Sequence, residues 1–268
     1  MNRMIKFTTL ALAACVPLVA QAHKAWLLPS STVSTTDQWV TVDAAVSNNL
    51  FYFDHVPLRV EALQITAPDG TVVQPENVAT GKYRTTFDLH LVQNGTYRLA
   101  NVNNGVFANY EVDGEKKRWR GTAEKFATEV PANAKNLQVQ QSAGRVETFV
   151  TAGKPTNAAL KPTNVGLELV PVTHPNDLYA GEAAKFGLVL DGKPAPNLAV
   201  TIIPGGTRYR DHQEEIKTTT DAAGQFSVTW PEPGMYWLET GLQDSNTSLK
   251  QAKQRRVSYV ATFEVLPQ

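Results

Sequence analysis

His23 follows Ala20-Gln21-Ala22, small residues at the two positions that a signal peptidase pocket must accept. A cut after Ala22 would leave His23 as an N-terminus with a free α-amine. The amine and the imidazole Nδ1 of such a residue close a chelate ring around a metal ion. An α-amine ordinarily has a pKa near ~8, so a metal displaces its proton at neutral pH. A second histidine would complete a three-nitrogen histidine brace, which favours copper(II) by geometry and by the Irving–Williams order. Two other histidines keep metal-binding company. His55 follows Asp54 at the end of Asn48-Asn49-Leu50-Phe51-Tyr52-Phe53, so nitrogen and oxygen donors sit beside three aromatics that would form a dry surround. His90 lies two residues from Asp88 in Phe87-Asp88-Leu89-His90-Leu91. The expected site is therefore His23 with His55, Asp54 and His90. A structural reading stands beside it: the aromatics fill a core, Asp54 orients an exposed ring, and His90 belongs to a polar outer face. His174, before Pro175, reads as a turn cap, and His212 as part of a charged hairpin tip.

Softer chemistry is missing. Cys15 is the single cysteine and precedes the cut, and Met235 is the one thioether after it. A metal would be held by nitrogen and oxygen, which suits nickel, cobalt, copper(II) or zinc. The sequence has no Gly-x-Ser-x-Gly elbow, no His-Glu-x-x-His and no glycine-rich phosphate loop, so no catalytic residue is assigned. Trp119 and Trp230 fit a sugar-binding face, but they fit a sandwich core better.

The elements that must position these residues read as strands. Gln38–Asp43, Arg59–Ile65 and Thr86–Leu91 alternate apolar and polar residues, the period of a half-buried strand. Asp69-Gly70, Asn94-Gly95, Asp113-Gly114 and Asp191-Gly192 favour the positive backbone angles of hairpin turns. One short helix is expected, around Thr122 to Glu129. Seven strands are expected after the connection: 166–172, 184–190, 198–203, 215–220, 225–230, 234–241 and 255–265. The fold class is all-β, two immunoglobulin-like or transthyretin-like antiparallel sandwiches. Residues 23–150 form the first domain, 151–164 a connection with two Lys-Pro pairs, and 165–268 the second domain. Asn94-Gly95-Thr96-Tyr97 and Pro233-Gly234-Met235-Tyr236 echo one another, so each half should place a buried tyrosine whose hydroxyl meets backbone.

Residues 1–22 read as a cleavable signal peptide, with Arg3 and Lys6 ahead of an apolar run that Pro17 ends. That run is too short for a permanent span, and none comparable follows. Leu12-Ala13-Ala14-Cys15 offers a rival lipobox, although the apolar run continues past the cysteine. Either cut implies export, and the expected location is the periplasm. The whole chain has no formal net charge, and losing Arg3 and Lys6 leaves the remainder at −2. That balance argues against nucleic acid or an anionic membrane as the main partner.

His23, Trp26, Leu27 and Pro29 after a signal peptide resemble the start of an exported nickel uptake transporter family. That family is also described as the periplasmic component of cobalt/nickel transport, and is largely a domain of unknown function. The resemblance continues through VETFVTAGKPT (146–156), LELVPVTHPNDLYAGE (167–182), FGLVLDGKPAPNLAV (186–200) and TDAAGQFSV (220–228). It implies a divalent transition metal as cargo and a membrane metal transporter among the partners. Two other functions fit the same residues: a copper-dependent oxidative enzyme using a histidine brace, and a metal-free adhesion or scaffold module.

Overall fold

The computed structural model describes residues 23–268. The signal peptide, the lipobox at Cys15 and the cut after Ala22 lie outside the described residues. In chain order the first half contains β1 (Lys24–Pro29), β2 (Val33–Ser34), β3 (Gln38–Ser47), β4 (Val56–Pro57), β5 (Leu63–Thr66) and β6 (Val72–Val73). It continues with β7 (Glu76–Thr80), β8 (Thr85–Leu91), β9 (Gly95–Val112), β10 (Glu115–Gly121), α1 (Ala123–Glu129) and β11 (Lys135–Ala152). The second half contains β12 (Leu167–Pro171), β13 (Ala183–Leu190), β14 (Lys193–Pro194), β15 (Ala199–Pro204), β16 (Ile216–Thr219), β17 (Gln225–Thr229), β18 (Gly234–Asp244) and β19 (Ala252–Val265).

These strands make an all-β pair of sandwiches that share one sheet. A ten-stranded sheet runs β16-β15-β18-β19-β11-β9-β5-β6, with β10 on β9 and β2 on β11. A smaller sheet, β1-β3-β8-β7 with β4 on β3, covers one part of it, and a sheet of β12, β13, β14 and β17 covers another. Val40, Val42, Phe87, Leu89 and Leu91 meet Ile65, Tyr97, Leu99 and Val150 in the first core. Leu169, Phe186, Leu188 and Phe226 meet Ile202, Leu238, Tyr259 and Phe263 in the second. Strict alternation explains the first core: β8 is buried at Thr85, Phe87, Leu89 and Leu91 and only half-buried between them.

The shared sheet crosses the expected domain connection. β11 pairs with β9 antiparallel and with β19 in parallel, Val146 lying opposite Val260. Residues 151–164 therefore lead from the shared sheet into β12 of the second covering sheet, while β18 and β19 of the second half rejoin the shared sheet beside β11. A buried ion network sits at this junction. Arg145 donates to Glu147 at 2.9 Å and lies 3.2 Å from Glu168, while the Tyr259 hydroxyl donates to Glu147 at 2.8 Å. Burial, reinforced by the Glu147 carboxylate, pushes the Tyr259 phenol well above its ordinary pKa.

Turn chemistry accounts for most corners. Asp113-Gly114 and Asp191-Gly192 have φ of 53°, 79°, 49° and 77°, both residues left-handed, as a two-residue type I′ hairpin requires. Asn94-Gly95 departs from the expectation. β8 belongs to the small sheet and β9 to the shared one, so this dipeptide turns a corner between sheets and closes no hairpin. The strand expected over Arg59–Ile65 pairs only from Leu63 onward, because residues 60–63 form a turn in which the Leu63 N–H donates to the Val60 carbonyl at 3.0 Å.

Candidate metal centre

β1 hydrogen-bonds along β3 until Lys24 lies opposite Ser47, which places His23 beside the end of β3. The chain leaves β3, makes a loop over residues 48–55, and returns as β4, with Val56 opposite Val46. His23 and His55 thus reach the same end of β3 from two directions. Their rings stack with centroids 3.8 Å apart and planes inclined by 13°. His23 is exposed and His55 half-buried.

Asp54 closes the loop that delivers His55. Its carboxylate accepts from the Asn48 N–H at 2.8 Å, the Asn49 N–H at 3.0 Å and the Asn49 side-chain amide at 2.8 Å. Burial pushes the Asp54 pKa up, but these donors outweigh it and hold the carboxyl below its ordinary value. Both oxygens are engaged in the loop, so Asp54 positions His55. Phe51, within the same loop, has φ of 63°, a left-handed backbone that a bulky side chain rarely adopts. Its ring is held edge-on to the buried Trp26 at 5.5 Å and packs against Gly205, where an added Cβ would lie 3.3 Å from the ring.

Trp26 anchors the floor. It is fully buried, its indole N–H donates to Ser47 at 2.8 Å, and it packs with Ile203, Trp237 and Val260 of the second half. Phe53 lies 5.5 Å from Trp26 on another side. Tyr52 meets Tyr209 edge-on at 6.1 Å, so the 48–55 loop rests on the turn after β15. Behind His23, Lys24 is buried with its ammonium 5.9 Å over Trp237. Burial raises the Glu239 pKa, against the pull of Lys24 and Arg256.

The other histidines lie elsewhere. His90 stacks on Trp39 at 4.4 Å and contacts Asp37 at 2.8 Å. It lies opposite Trp39, whereas Lys24 lies opposite Ser47, so the two positions differ by about 26 Å along β3 at ~3.3 Å per residue. The nearby Asp88 bonds Thr41 at 2.6 Å and Asn77 at 2.9 Å. His174 is part of the junction, meeting Thr96 at 2.9 Å and accepting from the Asn176 N–H at 3.1 Å. His212 is exposed. Trp230 is buried in the second core, and Trp119 packs on Phe126.

Among the described residues no three His, Cys, Asp or Glu side chains gather as a metal site. The donors at hand are the two imidazoles, and the α-amine that a cut before His23 would create. Stacked rings point their nitrogens sideways, and turning them toward a shared ion needs rotation about χ2, a broad and soft torsion. Sequence reasoning missed the contribution of the second half: Gly205, Tyr209 and Trp237 are far away in the chain and carry no local metal signature.

A family model described as domain of unknown function (DUF4198) matches residues 20–244, and the chain belongs to that family. No curated protein matches it. Among solved structures it is similar to the D0-D1 domain of intimin, at 14% identity over 88% of this chain and 96% of that one, with TM-score 0.24. It is also similar to the adhesin InvE of Yersinia pseudotuberculosis, at 15% identity over 91% of this chain and 60% of that one, with TM-score 0.22. An I-band fragment of titin matches at 10% identity over 91% of this chain and 66% of that one, with TM-score 0.20. No helix among the described residues is long and apolar enough to cross a membrane.

Proposed function

We propose that the mature protein is a periplasmic metal-binding protein, a carrier or accessory in the uptake of nickel, cobalt or copper. The ion is cargo, held by the His23 amine, the His23 imidazole and the His55 imidazole. The observation that carries this reading is the 3.8 Å contact between the two rings, formed by residues 32 positions apart at the end of one strand. The start of the chain resembles a cobalt/nickel transport family, which supplies the transport role. The donor set itself, three nitrogens with no thiol or thioether, favours copper(II) by the Irving–Williams order.

Competition titration with copper(II) and nickel(II) tests it on four proteins: the processed chain, a form extended by one leading Met, His55→Ala and His90→Ala. Extension turns the amine into an amide, and His55→Ala removes one ring. Each should weaken binding at least about tenfold, since even outer-shell losses cost ~10–100-fold. His90→Ala should leave affinity unchanged. Equal affinity of the extended and processed forms would show that the N-terminal position of His23 is an accident of cleavage.

A further inference from the structure

We propose that the bare face of the arm formed by β9, β10 and β11 binds an acidic polysaccharide, independently of the metal centre. β10 reads Glu115-Lys116-Lys117-Arg118-Trp119-Arg120-Gly121, four cations in five positions of a chain with no net charge. Alternation sorts them. Trp119 faces α1, edge-on to Phe126 at 5.6 Å with its N–H donating to Glu129 at 2.9 Å, and Lys117 on that side pairs with Glu115. Lys116, Arg118 and Arg120 project from the other face, are exposed, and form no ion pair among the described residues.

Register builds rows across that face. Arg118 lies opposite Asn109, which lies opposite Gln138; Arg120 lies opposite Phe107, which lies opposite Gln140. Gln254 on β19 continues the second row. Glu111, opposite Lys116, is engaged by the Asn136 amide at 2.6 Å. Phe107 is 40% exposed, with the Arg120 guanidinium 5.0 Å over its ring. Beneath, Val106, Ala108 and Val139 pack on Phe126, so the platform is backed by its own small core.

Each part matches one feature of an acidic sugar chain. An exposed aromatic ring stacks on the apolar face of a pyranose. Amide side chains both donate and accept, as hydroxyl groups require. Arginine meets a carboxylate with two parallel N–H bonds, and the Arg120 guanidinium is held 5.0 Å from the Phe107 ring centre. Successive cations on one face of β10 are about 7 Å apart, which suits a repeating anion more than a single one. Single-stranded nucleic acid would want several stacking aromatics, and this face has one. A membrane surface would want an apolar flank to insert, which the amide rows do not provide.

Affinity electrophoresis of the processed protein in gels containing polygalacturonate, neutral dextran or DNA tests the proposal, with flotation on phosphatidylglycerol vesicles as a further arm. Polygalacturonate should retard the protein, and the other three should not hold it comparably. The double variant Arg118→Gln/Arg120→Gln should lose at least about tenfold in affinity, and Phe107→Ala should weaken binding at every salt concentration. Phe107→Tyr, which keeps the ring, should bind nearly as well as the parent. Lys125→Gln, an exposed charge on the helix, should change nothing. No retardation, equal retention by DNA or vesicles, or full binding by the double variant would overturn it.

Discussion

His174 shows how a residue read as a turn cap does more once its surroundings are known. Burial pushes its imidazole below the ordinary 6.5, the proximity of Asp177 notwithstanding. Its Nε2 reaches Thr96 Oγ1 at 2.9 Å and the Thr156 carbonyl at 3.3 Å, tying the second half to the start of β9. Because the folded form resists protonation, the unfolded chain binds more protons once the pH drops below about 6.5. The contribution of the neutral ring is therefore complete above that value and declines as the pH falls through it. Urea midpoints measured at about pH 7.5 and pH 5.5 should differ less in His174→Gln than in the parent. An equal difference in both proteins would assign the effect to other groups. The histidine pair was legible at this scale because His23 and His55 each sit in telling local company. The role of Asp54 was only half legible: a carboxylate beside a histidine looks the same in sequence whether it binds an ion or caps a loop. The backbone N–H groups of Asn48 and Asn49 that engage it carry no mark in residue type, and only the Asn49 side-chain amide does.

At the scale of elements, the two tyrosine corners repay comparison. Tyr97 Oη accepts from the Gln93 N–H at 2.8 Å, and Tyr236 Oη donates to the Glu232 carbonyl at 2.7 Å, each four residues upstream. Gly95 and Gly234 precede them by two positions with φ of 133° and 142°. The same local device thus sets the start of β9 and of β18, the form seen in immunoglobulin-like sandwiches. Tyr97→Phe and Tyr236→Phe should each cost about 1 kcal/mol, a fall in Tm of about 2–4 °C. Thermal melts that show no shift for either would leave the corners without energetic weight. The seven strands expected in the second half fall within three residues of the observed ends, Gln225–Thr229 by its clean alternation and Ala183–Leu190 by the Asp191-Gly192 turn that ends it. Partnership was not readable. Alternation in β11 says which side chains share a face, but nothing in it announces a parallel neighbour more than a hundred residues later.

For the whole molecule, that neighbour is decisive. One sheet passes through both cores, and Arg145, Glu147 and Glu168 lie buried where they adjoin. Proteolytic nicking in the exposed stretch at Asn157 and Ala158 should therefore leave two fragments that co-elute on gel filtration and melt in a single transition. Fragments that separate, or two distinct transitions, would mean that each half is stable alone. The β11–β19 pairing also fixes an order of events in synthesis. One edge of β11 is filled by β9, but from Val139 to Thr148 the other waits for β19, more than a hundred residues later. Until residues 252–265 have been made, a long, half-apolar strand edge lies open to any extended segment of a neighbouring molecule. A nascent or truncated copy is thus a template for aggregation, and the fourteen-residue β19 acts as the stopper that removes the hazard.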